Sequence, residues 1–174
     1  RLESCLNQFQ DQGIVDYKIW PGIIHTMAFT GISKAHKQIV RNAKENKEPM
    51  VCICEDDICF SSTGSFNYFL ENIPENFDLY LSSIYSGDIL ADNTVKEFSS
   101  LTLYIVHERF YDTFLSTNEA NHIDRQMKVH GGRYIVCNPF VSKQFDGYSD
   151  NVGQVTKYER KYMKGRKFFT LQTH

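Results

Sequence analysis

The strongest feature of the hydrophobic pattern is a run of five apolar residues that ends in three carboxylates. Met50 to Cys54 are apolar, and Glu55, Asp56 and Asp57 follow directly. A short apolar run that stops sharply is typical of a strand buried on both faces, as in the middle of an α/β sheet. Ligands in such sheets bind just beyond the carboxyl ends of the strands. The pattern therefore predicts that the three carboxylates emerge at a ligand site.

Apolar residues at helical or alternating spacing predict the remaining elements of the chain. The helical spacing predicts helices over residues 1–12, 30–46, 66–73, 109–115 and 123–129. The β-rich runs predict strands over residues 15–20, 49–54, 78–81, 101–106 and 134–137. Thr30 or Ser33 is the expected cap of the second helix. The strand, helix and strand over residues 15–54 predict a parallel pairing through a right-handed crossover.

The length of 174 residues predicts one domain with a sizeable core. We assign residues 1–151 to this domain and residues 152–174 to a basic C-terminal extension that packs on it or trails from it. The extension would contact an anionic membrane face or an acidic acceptor, although a solvated charged helix is the simpler interpretation. Nucleotide-binding α/β folds usually begin with a strand, whereas this sequence starts with a predicted helix. A first strand is therefore expected upstream of Arg1.

Composition and charge narrow the range of functions. The net charge of −2 argues against non-specific nucleic-acid binding, which needs a basic excess to neutralise phosphates. No apolar run approaches the ~20 residues that a membrane-spanning helix requires. The five cysteines are odd in number and lie mostly in apolar runs, which is typical of reduced thiols rather than disulfides or a zinc site. We expect a cytoplasmic protein, at the inner membrane face if the basic extension contacts lipid.

The acidic triplet needs a compensating partner because three adjacent carboxylates repel one another. Residues two apart in an extended segment point to the same side, so Glu55 and Asp57 can share one ligand while Asp56 faces away. Oxygen-rich sites favour a hard divalent cation such as magnesium, manganese or calcium. The alternative is a solvated acidic turn in front of the helix that starts near Ser65.

Four segments in a fixed order carry a family resemblance. The segments are residues 31–36 (Gly-Ile-Ser-Lys-Ala-His), residues 51–57, residues 103–106 (Leu-Tyr-Ile-Val), and a late group with Asp124, Pro139, Gln144, Ser149 and Asp150. In this order they resemble glycosyltransferase family 25, the group of lipopolysaccharide-biosynthesis and collagen-type galactosyltransferases. The resemblance spans about residues 1–151. It departs from the family at Ala35, where serine is usual.

The resemblance implies an α/β fold of the GT-A type, a Rossmann-like sandwich with a mostly parallel central sheet, here lacking its first strand. It implies inverting transfer of a hexose, galactose or glucose, from a UDP-sugar to a hydroxyl of a glycan or protein. A divalent cation, manganese or magnesium, would lie under the diphosphate. The implied roles are metal binding for Glu55 and Asp57, catalysis for Asp124 and Asp150, and substrate binding for Gly31, His36, Asp56, Gln144 and Ser149.

Simpler roles remain open for three of these residues. Asp124 is also explained as a carboxylate at a helix N-terminus. His36 is also explained as a hydrogen-bonded core histidine, and Gln144 as a surface glutamine. Two other functions remain open as well. One is a magnesium-dependent phosphoryl-transfer or nuclease domain that uses the same carboxylates, and the other is a degenerate transferase-like binding module.

Overall fold

The computed structural model describes residues 1–149, 153–158 and 163–171 and has a mixed α/β fold. The helices are α1 (Leu2–Asp11), α2 (Ala28–Glu45), α3 (Ser65–Glu71), α4 (Tyr111–Ser116) and α5 (Ile123–His130), with a 3₁₀ turn at Glu108–Phe110 before α4. The strands are β1 (Met50–Cys54), β2 (Ile58–Phe60), β3 (Leu79–Leu81), β4 (Thr94–Val95), β5 (Leu103–His107), β6 (Tyr134–Val136), β7 (Ser142–Gln144), β8 (Gly147–Ser149) and β9 (Gln154–Thr156). The helices predicted over residues 1–12 and 123–129 and the strand that precedes the acidic triplet are therefore confirmed.

Five strands form the central sheet, in the order β1-β5-β3-β6-β4. β5 lies between β1 and β3 and runs antiparallel to both, β3 and β6 are parallel, and β4 is antiparallel to β6. The prediction of a mostly parallel sheet is therefore wrong for the described residues, because β5 is inserted between two strands of like direction. β1, β3 and β6 still share one direction. Their carboxyl ends meet at the edge of the sheet where Glu55 follows β1.

The sheet is covered by helices on both faces. On one face, α2, α4 and α5 contribute to a core that includes Ile53 and Leu81 of the strands. On the other face, α1 and α3 contribute to a core that includes Tyr80 and Ile105. Successive strand residues point to opposite faces, so neighbours such as Tyr80 and Leu81 enter different cores. This double coverage explains the continuously apolar sequences of β3, β5 and β6. β1 is at the end of the described sheet and its Met50 and Cys52 are exposed, so the prediction that this strand is buried on both faces in the middle of the sheet is wrong.

The segment before α2 departs most from the sequence-based expectations. Residues 14–25 have no regular secondary structure, so the strand predicted over residues 15–20 and its parallel pairing with β1 are both wrong. A strand needs a hydrogen-bonded neighbour, and among the described residues β1 pairs only with β5. The expected cap of α2 is also wrong. The helix begins one turn earlier, with Met27 as N-cap, and Thr30 and Ser33 lie buried within it.

Part of the C-terminal extension packs on the domain. The Phe140 N–H donates to the carbonyl oxygen of Lys167 at 2.9 Å, and the Phe169 N–H donates to that of Phe140 at 2.8 Å. Met163 is buried in the core beside α2 and α5. Residues 163–171 therefore belong to the same packed body. Within the ranges that the structure describes, no helix has both the length and the apolar character needed to cross a bilayer.

We expect Phe69→Ala to destabilise the fold by about 3–5 kcal/mol, because truncating a buried aromatic residue leaves a cavity. Phe69 is fully buried on α3 and stacks on Tyr80 with ring centroids 4.5 Å apart and planes within 4°. Urea unfolding measures the change. The matched control is the next residue on the same helix, Leu70→Ala, which is 40% exposed and should cost under about 1 kcal/mol. Equal losses for the two variants would contradict the described packing of α3.

Candidate functional site

A cavity of about 1250 Å³ opens beyond the carboxyl end of β1 and continues along the outer edge of that strand. Eight of the nine residues predicted to form a site line it: Gly31, His36, Glu55, Asp56, Asp57, Asp124, Gln144 and Ser149. The ninth, Asp150, lies outside the described residues. The eight described residues that were predicted from the sequence therefore surround one cavity, although they come from separate parts of the chain.

Backbone hydrogen bonds fix the acidic turn at this position. The Glu55 N–H donates to the carbonyl oxygen of Thr102 at 2.8 Å, which extends the pairing of β1 with the chain before β5. The chain then turns into β2, which pairs with β7 so that Ile58 lies opposite Gln144. The Phe145 N–H donates to the carbonyl oxygen of Asp57 at 2.8 Å. The β2–β7 pairing thus brings Gln144 beside the carboxylates, although it is far from them in sequence.

Glu55 and Asp57 converge on one amide group. The side-chain Nε2 of Gln144 donates to Asp57 Oδ2 at 3.1 Å and to Glu55 Oε2 at 3.3 Å. Asp56 lies away from this pair, more than half exposed, with its Oδ1 3.8 Å from a guanidinium nitrogen of Arg1. The two outer carboxylates therefore share a side and the middle one does not, as expected for positions two residues apart.

The environment of Asp57 disfavours its charged form. Burial is the largest cause, and the nearby charge of Glu55 adds to it, so that the pKa of Asp57 rises from 3.8 to about 7. The hydrogen bond from Gln144 opposes this rise only in part. Asp57 Oδ1 and Gln144 Oε1 are buried and have no hydrogen-bond partner among the residues that the structure describes. Two acceptor oxygens without a donor are what a proton or a cation would satisfy.

The donor set suits a hard cation with few protein ligands. Glu55, Asp57 and Gln144 present carboxylate and amide oxygens, which magnesium and manganese favour. In the described part of the chain, no group of three or more His, Cys, Asp or Glu side chains has the arrangement of a metal site. A cation here would therefore depend on two carboxylates, an amide oxygen, and ligands from solvent or substrate. Magnesium commonly binds proteins in that way.

A buried tyrosine and a buried histidine form a chain of polar contacts that ends at Glu55. The Tyr104 hydroxyl lies 2.6 Å from His36 Nδ1, and His36 Nε2 lies 3.2 Å from Glu55 Oε1. The two rings stack with centroids 5.7 Å apart. All three groups are satisfied when the tyrosine donates to Nδ1 and a neutral histidine carries its proton on Nε2. His36 is thus a buried, hydrogen-bonded histidine and also a direct neighbour of the acidic pair.

Asp124 stands on another wall of the cavity, in the first turn of α5. Its Oδ2 accepts from the Ser100 N–H at 3.1 Å, and its Oδ1 accepts from the Arg125 N–H at 2.8 Å. Burial raises the pKa of Tyr85 well above its usual range, and the charges of Asp124, Glu55 and Asp57 raise it further. Tyr85 therefore lies within electrostatic reach of all three carboxylates. The helix-terminus role of Asp124 is observed, and it leaves a lone pair on each oxygen available.

Gly31 and Ser149 have clear structural neighbours at the cavity wall. A Cβ at Gly31 would lie 2.2 Å from the carbonyl oxygen of Ile23, so this glycine lets the segment before α2 approach the helix. Ser149 ends β8 and hydrogen-bonds the Tyr158 hydroxyl. Tyr158 in turn packs against Tyr85, with ring centroids 5.2 Å apart.

Sequence reasoning missed Tyr104 and Tyr158 as parts of the site. Tyr104 lies within an apolar strand. The sequence feature that could have identified it is that a buried tyrosine hydroxyl needs a hydrogen-bond partner. That feature does not identify His36 as the partner. Tyr158 lies in the charged C-terminal stretch, where no apolar period marks it as buried.

We expect the Asp57 proton to make stability depend on pH. Between pH 3.8 and about 7 the folded protein keeps a proton that the unfolded chain has released, so the free energy of unfolding falls as pH rises through this window. Asp57→Asn removes this term. Its stability relative to the unsubstituted protein should therefore be higher at pH 8 than at pH 4.5, by up to about 3 kcal/mol.

Urea unfolding with a chelator present, at both pH values, measures this difference. Asp112→Asn is the control, because the Asp112 side chain is 82% exposed and lies outside the cavity. A stability difference for Asp57→Asn that is the same at both pH values would show that Asp57 is ionised throughout.

Comparison with models of known protein families and with curated proteins finds no match to this chain.

Proposed function

We propose that this chain is a metal-dependent, inverting glycosyltransferase that moves a hexose from a UDP-sugar to a hydroxyl of a glycan or protein. The observation that carries the proposal is the convergence of Glu55 and Asp57 on the Gln144 amide, at the carboxyl end of β1 and inside a large cavity. The resemblance to glycosyltransferase family 25 supports it, and the proposal includes a fold of the GT-A type. Galactose and glucose are the candidate sugars, and a lipopolysaccharide core is one candidate acceptor.

A divalent cation, manganese or magnesium, would be held by Glu55 and Asp57, with Gln144 Oε1 as a further oxygen ligand. When bound, it would supply Lewis-acid neutralisation of the leaving diphosphate. The partnerless oxygens on Asp57 and Gln144 support this assignment. So does the raised pKa of Asp57, because a carboxylate that is costly to ionise alone is favoured by a positive partner.

The donor would lie across the mouth of the cavity, where polar side chains flank the acidic pair. Asp56 is exposed there and can accept hydrogen bonds from ribose or sugar hydroxyls. Ser149 is on the same cavity wall. Tyr85 and Tyr158 offer ring surfaces that suit the apolar face of a sugar or a base.

Asp124 is the proposed base. Inverting transfer requires a carboxylate to take the proton of the acceptor hydroxyl on the face opposite the leaving group. Asp124 lines the cavity on an element separate from the acidic turn, and two backbone N–H groups hold its side chain in place. Asp150 was the other candidate for catalysis, and it lies outside the described residues.

His36 and Tyr104 act on Glu55 rather than on substrate. The Tyr104 hydroxyl pairs with His36 Nδ1, and His36 Nε2 pairs with Glu55 Oε1. One carboxylate oxygen is thereby fixed toward α2, and the other stays with Gln144 inside the cavity. Such outer partners orient metal-binding carboxylates in many proteins.

A nuclease or phosphoryl-transfer function is less well supported. Two-metal sites need further carboxylates on neighbouring strands, and Asp78 is the acidic residue next to β3. Asp78 precedes β3 and so lies at the edge of the sheet opposite Glu55. Its oxygens accept from the Arg109 side chain and the Arg133 N–H, each at 2.7 Å. A degenerate binding module would keep the site but lack turnover, and an activity assay separates that case.

We expect UDP-glucose or UDP-galactose to bind only when manganese is present, because the donor diphosphate needs the cation. Calorimetric titration with and without manganese measures this. The Glu55→Ala/Asp57→Ala double variant should lose donor binding, whereas Asp112→Asn should bind as the unsubstituted protein does. If no nucleotide sugar binds to the folded protein, or if binding is independent of metal, the proposed function is wrong.

We expect Asp124→Asn to slow UDP release from the bound donor by ~10²–10⁴-fold, the usual contribution of a general base. Donor affinity should stay within about twofold, because Asp124 is assigned to the acceptor side. The rate is measured as manganese-dependent UDP release, with water or an added glycan as acceptor. A variant that loses donor affinity instead would assign Asp124 to the donor site, and an unchanged rate would remove it from the mechanism.

A further inference from the structure

Two cysteine side chains meet where α1 packs against the end of β1. Cys5 is the buried residue of α1, and Cys54 is the last residue of β1. Successive residues of a strand point to opposite faces of the sheet. Ile53 therefore enters the core beside α2, whereas Cys54 packs against the core on the other face, which contains Cys5. The fold thus directs the two thiols toward each other from separate elements.

The two thiols are in direct contact. The side chains of Cys5 and Cys54 hydrogen-bond to each other, and Cys54 Sγ also lies 3.3 Å from the carbonyl oxygen of Glu55. All five cysteines of the chain carry free thiols in this structure. Thiols in contact need only a small movement to reach the Cβ separation of about 3.5–4.5 Å that a disulfide requires.

The other cysteine of β1 is a poorer partner for Cys54. Cys52 lies two residues earlier on the same strand. An extended strand advances about 3.3 Å per residue, so Cβ atoms two residues apart are separated by roughly 6–7 Å. That separation is too large for a disulfide. The geometry therefore favours the link between α1 and β1.

A small oxidant can reach this pair in the folded protein. Both Cys5 and Cys54 line the large cavity. The hydrogen bond with Cys54 lowers the pKa of Cys5 from its ordinary value, and the thiolate is the form of cysteine that reacts with oxidants. Cys5 is therefore the residue expected to react first, with Cys54 beside it.

We propose that Cys5 and Cys54 form a reversible disulfide when hydrogen peroxide enters the cavity, and that this bond ties α1 to the acidic turn. The Cys5 thiolate attacks the peroxide O–O bond and becomes a sulfenic acid, and the leaving hydroxide takes up the thiol proton to give water. The Cys54 sulfur then attacks the Cys5 sulfur. The S–O bond breaks, and a second water leaves with the Cys54 proton. Two thiols are oxidised, and one peroxide is reduced to two waters.

The disulfide would join α1 to the residue directly before Glu55. Since α1 forms part of the cavity wall, the bond would hold that wall at the carboxyl end of β1. It would also close the loop over residues 5–54, which restricts the unfolded chain and stabilises the folded one. The inference does not depend on the proposed transferase activity, since it concerns the two thiols alone.

The test treats the reduced, folded protein with hydrogen peroxide and then blocks the remaining thiols with iodoacetamide. Peptide mass spectrometry without reduction should find the peptides of Cys5 and Cys54 joined. Hydrogen exchange of residues 2–11 should slow at least tenfold after oxidation, and the urea midpoint should rise. Dithiothreitol should reverse both changes. Cys59→Ser is the matched control and should behave as the unsubstituted protein does, whereas Cys5→Ser should form no link.

Three results would overturn the inference. Recovery of Cys5 and Cys54 as separate residues, whether alkylated or oxidised singly, would show that the two thiols serve packing alone. A link from Cys54 to Cys52 or to another cysteine would assign the oxidation to a different pair. A lower urea midpoint of the linked protein would show that the bond is incompatible with the packing of α1 on β1.

Discussion

The arrangement of this cavity depends on two carboxylates held close together, where burial and the charge of Glu55 disfavour the charged form of Asp57. Glu55 and Asp57 share one amide donor from Gln144, and that single neutral group does not offset two negative charges. Burial and the nearby charge of Glu55 raise the pKa of Asp57 to about 7, so this carboxyl keeps a proton at mildly acidic pH.

Backbone hydrogen bonds between strands bring Glu55, Asp57 and Gln144 close together. The end of β1 is fixed by the hydrogen bond from Glu55 to Thr102, and the β2–β7 pairing sets Gln144 opposite Ile58. His36 and Tyr104 reach Glu55 from the core face of α2 and β5. These elements hold the two carboxylates close together around the Gln144 amide. A site that holds like charges together in this way is typical of ligand binding rather than of stability.

Local pattern was sufficient for part of this architecture. The apolar run before Glu55 predicted β1, and the two-residue period of an extended chain predicted that Glu55 and Asp57 share a side. The local sequence pattern does not determine which strands pair. The insertion of β5 between β1 and β3 was therefore not predictable, and the prediction of a mostly parallel sheet was wrong. The wrong strand prediction over residues 15–20 has a related cause, since the segment has the pattern of a strand but pairs with none of the described strands. The contact of Tyr104 with His36 was not predicted for a third reason. The sequence of an apolar strand does not show which group its tyrosine hydroxyl will contact.

We propose that Asp57 releases its proton when a divalent cation binds beside it. Manganese titrated by calorimetry near pH 6.5, in two buffers of different ionisation enthalpy, gives the number of protons released on binding. The account predicts a fractional release that falls toward zero by pH 8, and none at either pH for Asp57→Asn. Manganese that binds without proton release at pH 6.5, or that binds equally well to the Asn variant, would contradict it.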